Sequence, residues 1–299
     1  MYDLSIIIPS YNTKDTTYKC IDLLINNLSK TTFKYQIIVV DNHSSDGSTA
    51  MLKKFKNNNF VLITNVKNEG YAKANNIGLR YAQGRTILYL NSDVIIDETI
   101  SFIKILTFLD NHSHVAGLTV KVILPTGKLD MACHRGFPTL WRSFCYFIKL
   151  ESIFKYIPIL NSVFCGYHLW NKLNDSIHEI DSPSGAFFLV KKQVVDKIGG
   201  FDEDYFMYGE DLDLSYRIKK LGLKIIYYPL FTVVHLKGQS GMALNGNNRS
   251  IKTKSKVSFF ATMGIFYKKH YYYLYPRILS DFILILITQI AKRYEKNRN

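Results

Sequence analysis

Residues 36–42 read Q-I-I-V-V-D-N, four consecutive β-branched residues followed by a carboxylate and an amide. A run that is apolar on both faces belongs to a strand covered on both sides, the habit of parallel sheets. Working outward, similar runs recur at 4–9 (L-S-I-I-I-P), 60–64 (F-V-L-I-T) and 86–90 (T-I-L-Y-L). Between them lie helical stretches at 15–29 and 70–82, the second with Ala74, Ile77 and Tyr81 on one face, and a short polar helix that ends near Lys56. This alternation predicts a mainly parallel α/β sheet with helices on both sides. Such sheets bind ligands beyond the carboxyl ends of their strands, and polar residues fall there: Ser10-Tyr11-Asn12, Asp41-Asn42 and Asn91-Ser92-Asp93.

The second half changes character. S-P-S-G-A-F-F-L-V (182–190) is strand-like from Ala186 and precedes G-G-F-D-E-D-Y-F-M-Y-G-E-D-L-D-L-S-Y-R (199–217), which carries six carboxylates between Asp202 and Asp213. A helix is predicted over 211–221, with Leu214, Ile218 and Leu221 on one stripe and Lys219, Lys220 and Gly222 as stop signals. Asp211 and Asp213 complement the positive end of its dipole. That accounts for two acids, not for Asp202, Glu203, Asp204 and Glu210 as well. Clustered carboxylates between apolar elements are costly to desolvate, so they point to a bound cation, base or sugar. A strand at 224–228 and a lone His235 follow. The stretch from Cys133 to Trp170 is aromatic-rich and helical or irregular. A Gly/Asn-rich loop at 238–248 reads as a lid or boundary, and two helices are expected at 252–270 and 276–296.

With 299 residues, 47% of them hydrophobic, the chain fits one large domain or a domain with an appendage. Its net charge of +14 is uneven: from Arg249 onward eleven Lys or Arg face only Asp281 and Glu295, leaving +9 on the tail. A basic tail rich in Tyr and Phe suits an anionic partner, membrane surface or nucleic acid. The four cysteines show no metal or disulfide spacing and read as reduced thiols. No secretory signal is expected, because the first apolar run, 6–8, is too short and lacks a basic flank. The nearest thing to a spanning segment, 278–291, is interrupted by Asp281 and Gln289.

Singly, each feature has a plain alternative. Asp41 can accept the N3–H of a pyrimidine, or can cap the next helix together with Ser44. Asp93 can hold a divalent cation with His235 as partner, or His235 can be a structural imidazole. The helix start at 68–76 offers free amides and Lys73 to a phosphate or ribose, or is simply amphipathic. Tyr267, Tyr271, Tyr272, Tyr273 and Tyr275 beside Lys268, Lys269 and Arg277 form an interfacial anchor, or a hairpin packed on the main domain.

Taken in order, I-I-I-P-S-Y-N (6–12), V-V-D-N-H-S-S-D-G-S (39–48), N-E-G-Y-A-K-A-N-N-I-G (68–78), L-Y-L-N-S-D (88–93), S-G-A-F-F-L-V (184–190), G-G-F-D-E-D-Y-F-M-Y-G-E-D-L-D-L (199–214) and V-V-H (233–235) resemble the family 2 glycosyltransferases of GT-A fold. F-P-T-L-W (137–141) and G-E-D-L-D-L are similar to bacterial rhamnosyltransferases of surface-polysaccharide synthesis. The resemblance implies a GT-A domain over 1–240, with a mixed, mainly parallel sheet, and a helical tail over 249–299. It implies that Pro9, Tyr11 and Asp41 form the base pocket, and that Asn12, Asn76, Asn91, Ser92, Gly185 and Glu210 help bind the nucleotide sugar. Asp93 and His235 would hold Mn²⁺ or Mg²⁺, and Asp211 would be the catalytic base. Asn91 stands where the family's D-x-D motif has its first Asp and supplies less charge to a metal.

The implied donor is dTDP-rhamnose or a UDP-hexose. The implied acceptor is a lipid-linked saccharide at the inner face of the cytoplasmic membrane, where the protein would be peripheral. A homo-oligomer and an inactive sugar-binding relative remain open. A nucleotidyltransferase would want a Gly-rich basic loop where Ser10-Tyr11-Asn12-Thr13 stands. A nucleic-acid module would leave the carboxylates unexplained, so no nucleic-acid partner is expected.

Overall fold

The computed structural model describes residues 2–55, 57–237 and 248–296. Apart from Asn248, the Gly/Asn-rich loop expected at 238–248 lies outside them. Among the described residues nine strands, β1 (Tyr2–Ser10), β2 (Tyr35–Asp41), β3 (Phe60–Thr64), β4 (Gly84–Leu90), β5 (Val94–Ile95), β6 (Val115–Ile123), β7 (His178–Ile180), β8 (Phe187–Lys191) and β9 (Lys224–His235), join in one sheet of order β3-β2-β1-β4-β8-β6-β9-β5, with β7 on β9. The half expected to be parallel is so: β1 pairs in parallel with β2 and β4, and β2 with β3. β8 enters antiparallel to both β4 and β6, which makes the sheet mixed.

Register places the polar tips side by side. Ser10 lies opposite Asp41, and Asp41 opposite Thr64, on three adjoining strands. Ile6, Ile7 and Ile8 of β1 and Ile38, Val39 and Val40 of β2 are fully buried, as expected of strands covered on both faces.

Helices α1 (Lys14–Leu28), α2 (Ser48–Leu52), α3 (Tyr71–Leu79) and α4 (Phe102–Asn111) belong to the first half. The aromatic-rich stretch forms three short helices, α5 (Leu140–Phe147), α6 (Leu150–Phe154) and α7 (Leu160–Phe164). α8 (Lys192–Ile198) and α9 (Glu210–Lys220) follow, and α10 (Asn248–His270) and α11 (Arg277–Lys296) make the tail. α3 begins at Gly70, whose φ of +82° suits glycine and whose absent side chain leaves room for the Phe206 carbonyl, which accepts from Tyr71 N–H at 2.7 Å.

The tail is packed, not separate. Phe266, Tyr267, Tyr271 and Ile287 form a buried cluster with Tyr205, and Phe137, Leu140, Leu212 and Tyr216 of the main domain close on it. Lys269 pairs with Asp202 and Asp204, and His270 Nε2 lies 2.7 Å from Asp213. Part of the carboxylate cluster at 202–213 therefore anchors α10, which the sequence reading did not foresee. Among the described residues no helix is long and apolar enough to cross a membrane.

Candidate active site

At the carboxyl ends of β1 and β4 a cavity of about 1510 Å³ opens, lined by residues from every part of the chain. Pro9, Tyr11, Asn91, Ser92, Asp93, Gly185, Glu210, Asp211 and His235 all line it. Three of the expected site residues stand behind this lining.

Asp41 is 1% exposed and accepts a hydrogen bond from Thr49 Oγ1, while its Oδ1 is buried with no hydrogen-bond partner among the described residues. The residue that faces the cavity there is Asn42. Its Nδ2 donates to Asn68 Oδ1 (2.8 Å) and Gly70 O (3.2 Å), and its Oδ1 accepts from Asn65 Nδ2 and Glu69 N (both 3.0 Å). Asn12 has a φ of +52° and ties two loops together, receiving Ser45 N–H on Oδ1 at 2.8 Å and donating its own N–H to Ser44 Oγ at 2.9 Å. Asn76 commits its amide to Phe201, donating to the carbonyl at 2.8 Å and accepting the N–H at 2.9 Å. Both asparagines hold loops together and neither borders the cavity.

The first acidic centre gathers around Asp93. His235 Nε2 lies 3.3 Å from Asp93 Oδ1, and His235 Nδ1 lies 3.0 Å from Asp130 Oδ2, whose other oxygen accepts from Lys237 at 2.9 Å. β5 brings them together, since Val94 pairs with His235 across an antiparallel ladder. Burial pulls the imidazole pKa down, but the hydrogen bonds to Asp130 and Asp93 outweigh it and push His235 up to about 9. Asp130 is held well below the carboxylate range: burial opposes this, and the bonds from His235 and Lys237 prevail. The donor set suits a divalent cation: a carboxylate at Asp93, an imidazole nitrogen at His235 backed by a carboxylate, and Asn91 Oδ1, buried with no hydrogen-bond partner among the described residues. No cluster of three or more His, Cys, Asp or Glu is gathered for a metal among the described residues, so water and phosphate oxygens would complete the shell.

The second centre is Asp211, in the first turn of α9. Arg135 Nη2 donates to its Oδ2 at 2.7 Å and also to Pro183 O at 2.8 Å. Gly185 N–H reaches Oδ2 at 3.3 Å and Leu212 N–H reaches Oδ1 at 2.7 Å. Gly185 has no alternative here, since a Cβ on it would stand 2.5 Å from Tyr71 Oη. Tyr71 in turn donates to Gly185 O at 3.0 Å. Beside them Glu210 is buried, and its Oε2 has no hydrogen-bond partner among the described residues. Burial and then repulsion from Asp211 hold its carboxyl well above the ordinary range. α9 is fixed by Arg217, which donates to Asp213 Oδ2 at 2.7 Å and to the Ile198 and Gly200 carbonyls at 2.8 Å.

Sequence reasoning missed Arg135, Asp130 and the cavity-facing role of Tyr71, and it placed Asn42 at the ligand end of its strand without giving it a role of its own. Only Asn42 carried a local signal, being next to Asp41 at a strand tip.

A family model described as Glycosyl transferase family 2 matches residues 5–168, more than half of the chain. The chain belongs to glycosyl transferase family 2. Among curated relatives of this family 2 glycosyltransferase, the poly-beta-1,6-N-acetyl-D-glucosamine synthase of Staphylococcus aureus strain MSSA476 is 26% identical over 228 residues, which cover 76% of this chain and 48% of that protein. The chain thus spans about half the length of that relative. Rhamnosyltransferase WbbL of Escherichia coli K12 is 27% identical over 244 residues, covering 77% of this chain and 82% of WbbL. The fold is that of a mannosyltransferase from Pyrobaculum calidifontis solved with GDP-Man and Mn²⁺, at a TM-score of 0.56, 17% identity, 88% of this chain and 66% of that one.

Proposed function

We propose that this glycosyltransferase inverts the anomeric centre of a nucleotide-bound hexose, rhamnose from dTDP-rhamnose being the leading donor. It passes the sugar to a hydroxyl of a lipid-linked saccharide in bacterial surface-polysaccharide synthesis, at the inner face of the cytoplasmic membrane. One observation carries the reading: Asp211, with both carboxylate oxygens fixed, lines the same cavity as Asn91, Ser92 and Asp93. A carboxylate held in place within a cleft is equipped to receive a proton from an incoming hydroxyl.

The acceptor oxygen loses its proton to Asp211 as its bond to the anomeric carbon forms. The opposite bond to the leaving phosphate breaks, and the nucleoside diphosphate departs with that electron pair. Arg135 and the Gly185 and Leu212 amides keep the carboxylate aimed during this exchange. Pro9, Tyr11 and Asn42 border the space for the base, and the orphaned oxygen of Asp41 behind them is suited to a donor N–H. A divalent cation held by Asp93, His235 and Asn91 would offset charge on the diphosphate.

Rhamnose is favoured over a UDP-hexose because the rhamnosyltransferase is matched over most of its length and the N-acetylglucosamine polymer synthase over half. The synthase keeps UDP-linked Glc, Gal or GlcNAc as the second reading. A thermal-shift panel of dTDP-, UDP- and GDP-sugars with Mn²⁺ or Mg²⁺ decides between them. At a hundredfold excess over Kd the true donor adds about 2.7 kcal/mol of stability, a shift of several degrees. A panel in which no nucleotide sugar moves the melting point ends the proposal.

A further inference from the structure

The cavity has a second, apolar end. Phe144 and Phe147 of α5, Ile148 just beyond it, and Leu286 of α11 line the cavity and are also exposed to solvent, so they form its rim. The apolar surface continues outward over α6 and α7. Their connection, K-Y-I-P-I (155–159), holds Tyr156 77% exposed and Ile159 81% exposed. Ring contacts make this one surface: Phe154 with Phe164 (4.6 Å between centroids), Phe164 with Trp141 (5.6 Å) and Trp141 with Phe144 (5.9 Å). Phe147 then meets Phe260 of the tail at 5.9 Å. On α11, Ile278, Phe282 and Ile285 face solvent as well. Soluble proteins seldom leave so much contiguous apolar surface without a partner.

Charge identifies that partner. Between Trp141 and Asn174 the only acid is Glu151, which is buried and bonded to His168 Nδ1 at 2.6 Å. Lys149 and Lys172 stand exposed in the same stretch, and Lys155 lies over the Tyr156 and Trp170 rings at 4.7 and 5.0 Å. Lys292 and Arg293 extend the basic character along α11. Aromatic and branched side chains interleaved with Lys, with no exposed carboxylate on α5–α7 and only Asp281, which accepts from Tyr272 Oη at 2.7 Å, and Glu295 exposed on α11, match the boundary between acyl chains and anionic headgroups. A second copy of the chain would oppose lysine to lysine.

We propose that α5–α7, with the 155–159 tip leading, and the outward side of α11 dock on an anionic lipid bilayer, with the apolar rim of the cavity in that contact face. An acceptor carried on a lipid then reaches Asp211 without leaving the membrane. The docking stands on the surface itself; only its use for the acceptor rests on the proposed function.

The test is sedimentation of the full chain with vesicles of phosphatidylcholine alone and with about a third phosphatidylglycerol. The wild type is expected to partition onto the anionic vesicles and only weakly onto neutral ones. The double variant Tyr156→Asp/Ile159→Asp alters two exposed positions, keeps its melting point, and loses at least about tenfold of that partitioning. Equal partitioning of variant and wild type, or no binding to anionic vesicles by either, overturns the proposal. So does a wild-type dimer, seen by light scattering, that the variant dissolves without any vesicle binding. Transfer to a short water-soluble acceptor reads the function separately: its absence in both proteins removes the proposed transferase reading and leaves the vesicle result standing.

Discussion

The two acidic centres of the cavity are built around different cations. Asp93 faces an imidazole, 3.3 Å away and itself backed by Asp130. Asp211 faces a guanidinium at 2.7 Å. An imidazole can give up its proton and offer a lone pair, while arginine stays charged at any pH a protein survives. The first centre can therefore exchange its proton for a metal ion. The second carries a fixed counter-charge that orients the carboxylate. The contrast teaches that one wall is arranged for an exchangeable ligand and the other for a permanent geometry, and each can be broken on its own.

The largest expected effect is on the fixed side. Asp211→Asn keeps the shape and removes the base, so turnover should fall by about 10² to 10⁴-fold, while the donor-induced thermal shift stays. Turnover within a few-fold of wild type would pass the role to another group, Glu210 being nearest. Arg135→Ala leaves the Asp211 carboxylate nearly buried without its cation and should cost about 3 kcal/mol of unfolding free energy. Arg135→Lys restores charge but not the longer, planar guanidinium whose Nη2 reaches both Asp211 and Pro183 O, and should recover only part of that loss. Urea midpoints for the three proteins settle the matter, and equal midpoints would show that the pair contributes nothing.

These two residues also mark how far the sequence alone carries. A local pattern, a strand tip, drew attention to Asp93, and a dense acidic run at a helix start drew attention to the neighbourhood of Asp211, which only the family resemblance singled out. Arg135 and Asp130 lie 76 and 105 positions from the groups they serve, inside or beside an aromatic stretch with no clear period. Nothing local marks them. Asn76, which the resemblance assigned to the nucleotide, likewise has a partner that no local pattern marks, its amide donating to Phe201 O 125 positions away. The strands of the first half were legible because burial on both faces writes a continuous apolar run. β6 is interrupted by Gly117, Thr119 and Lys121, and the stretch from 94 to 132 yields no strand on pattern alone. The tail was read as either anchor or packed hairpin; Tyr267 and Tyr271 are buried against the main domain, while Tyr273 stays exposed.

That packing extends the comparison to the support beneath each centre. α9, which carries Asp211, is braced by the tail through His270 and the cluster around Ile287. The centre at Asp93 is braced instead by β5 and β9 of the sheet. Ile287→Ala should cost about 2 kcal/mol, lowering the melting point. It should weaken turnover more than it weakens Mn²⁺-dependent donor binding, and an equal loss of both would mean that the two walls move as one. Asp130→Asn probes the exchangeable side, removing the carboxylate that orients His235. Mn²⁺ affinity, followed through the donor thermal shift, should drop by about tenfold or more, with Asp211-dependent turnover at saturating metal close to wild type.

The smallest effect separates the neighbours Glu210 and Asp211. Glu210 has its carboxyl pKa raised in the fold by burial and by Asp211, so the folded state favours its protonated form. Its contribution to stability is then complete below the ordinary glutamate value of 4.5 and is lost as pH climbs through the raised one. His235, raised from 6.5 to about 9, acts in the same direction at higher pH. Unfolding free energy should therefore decline from about pH 4.5 to about pH 9, and Glu210→Gln, which cannot ionise, should flatten the lower part of that decline by at least about 1 kcal/mol, the worth of one pKa unit. The variant keeps Arg135 and Asp211 in contact, so turnover should persist where Asp211→Asn abolishes it. If the decline is as steep without Glu210, that carboxyl is already charged in the fold, and Arg135 must neutralise both neighbours instead of serving Asp211 alone.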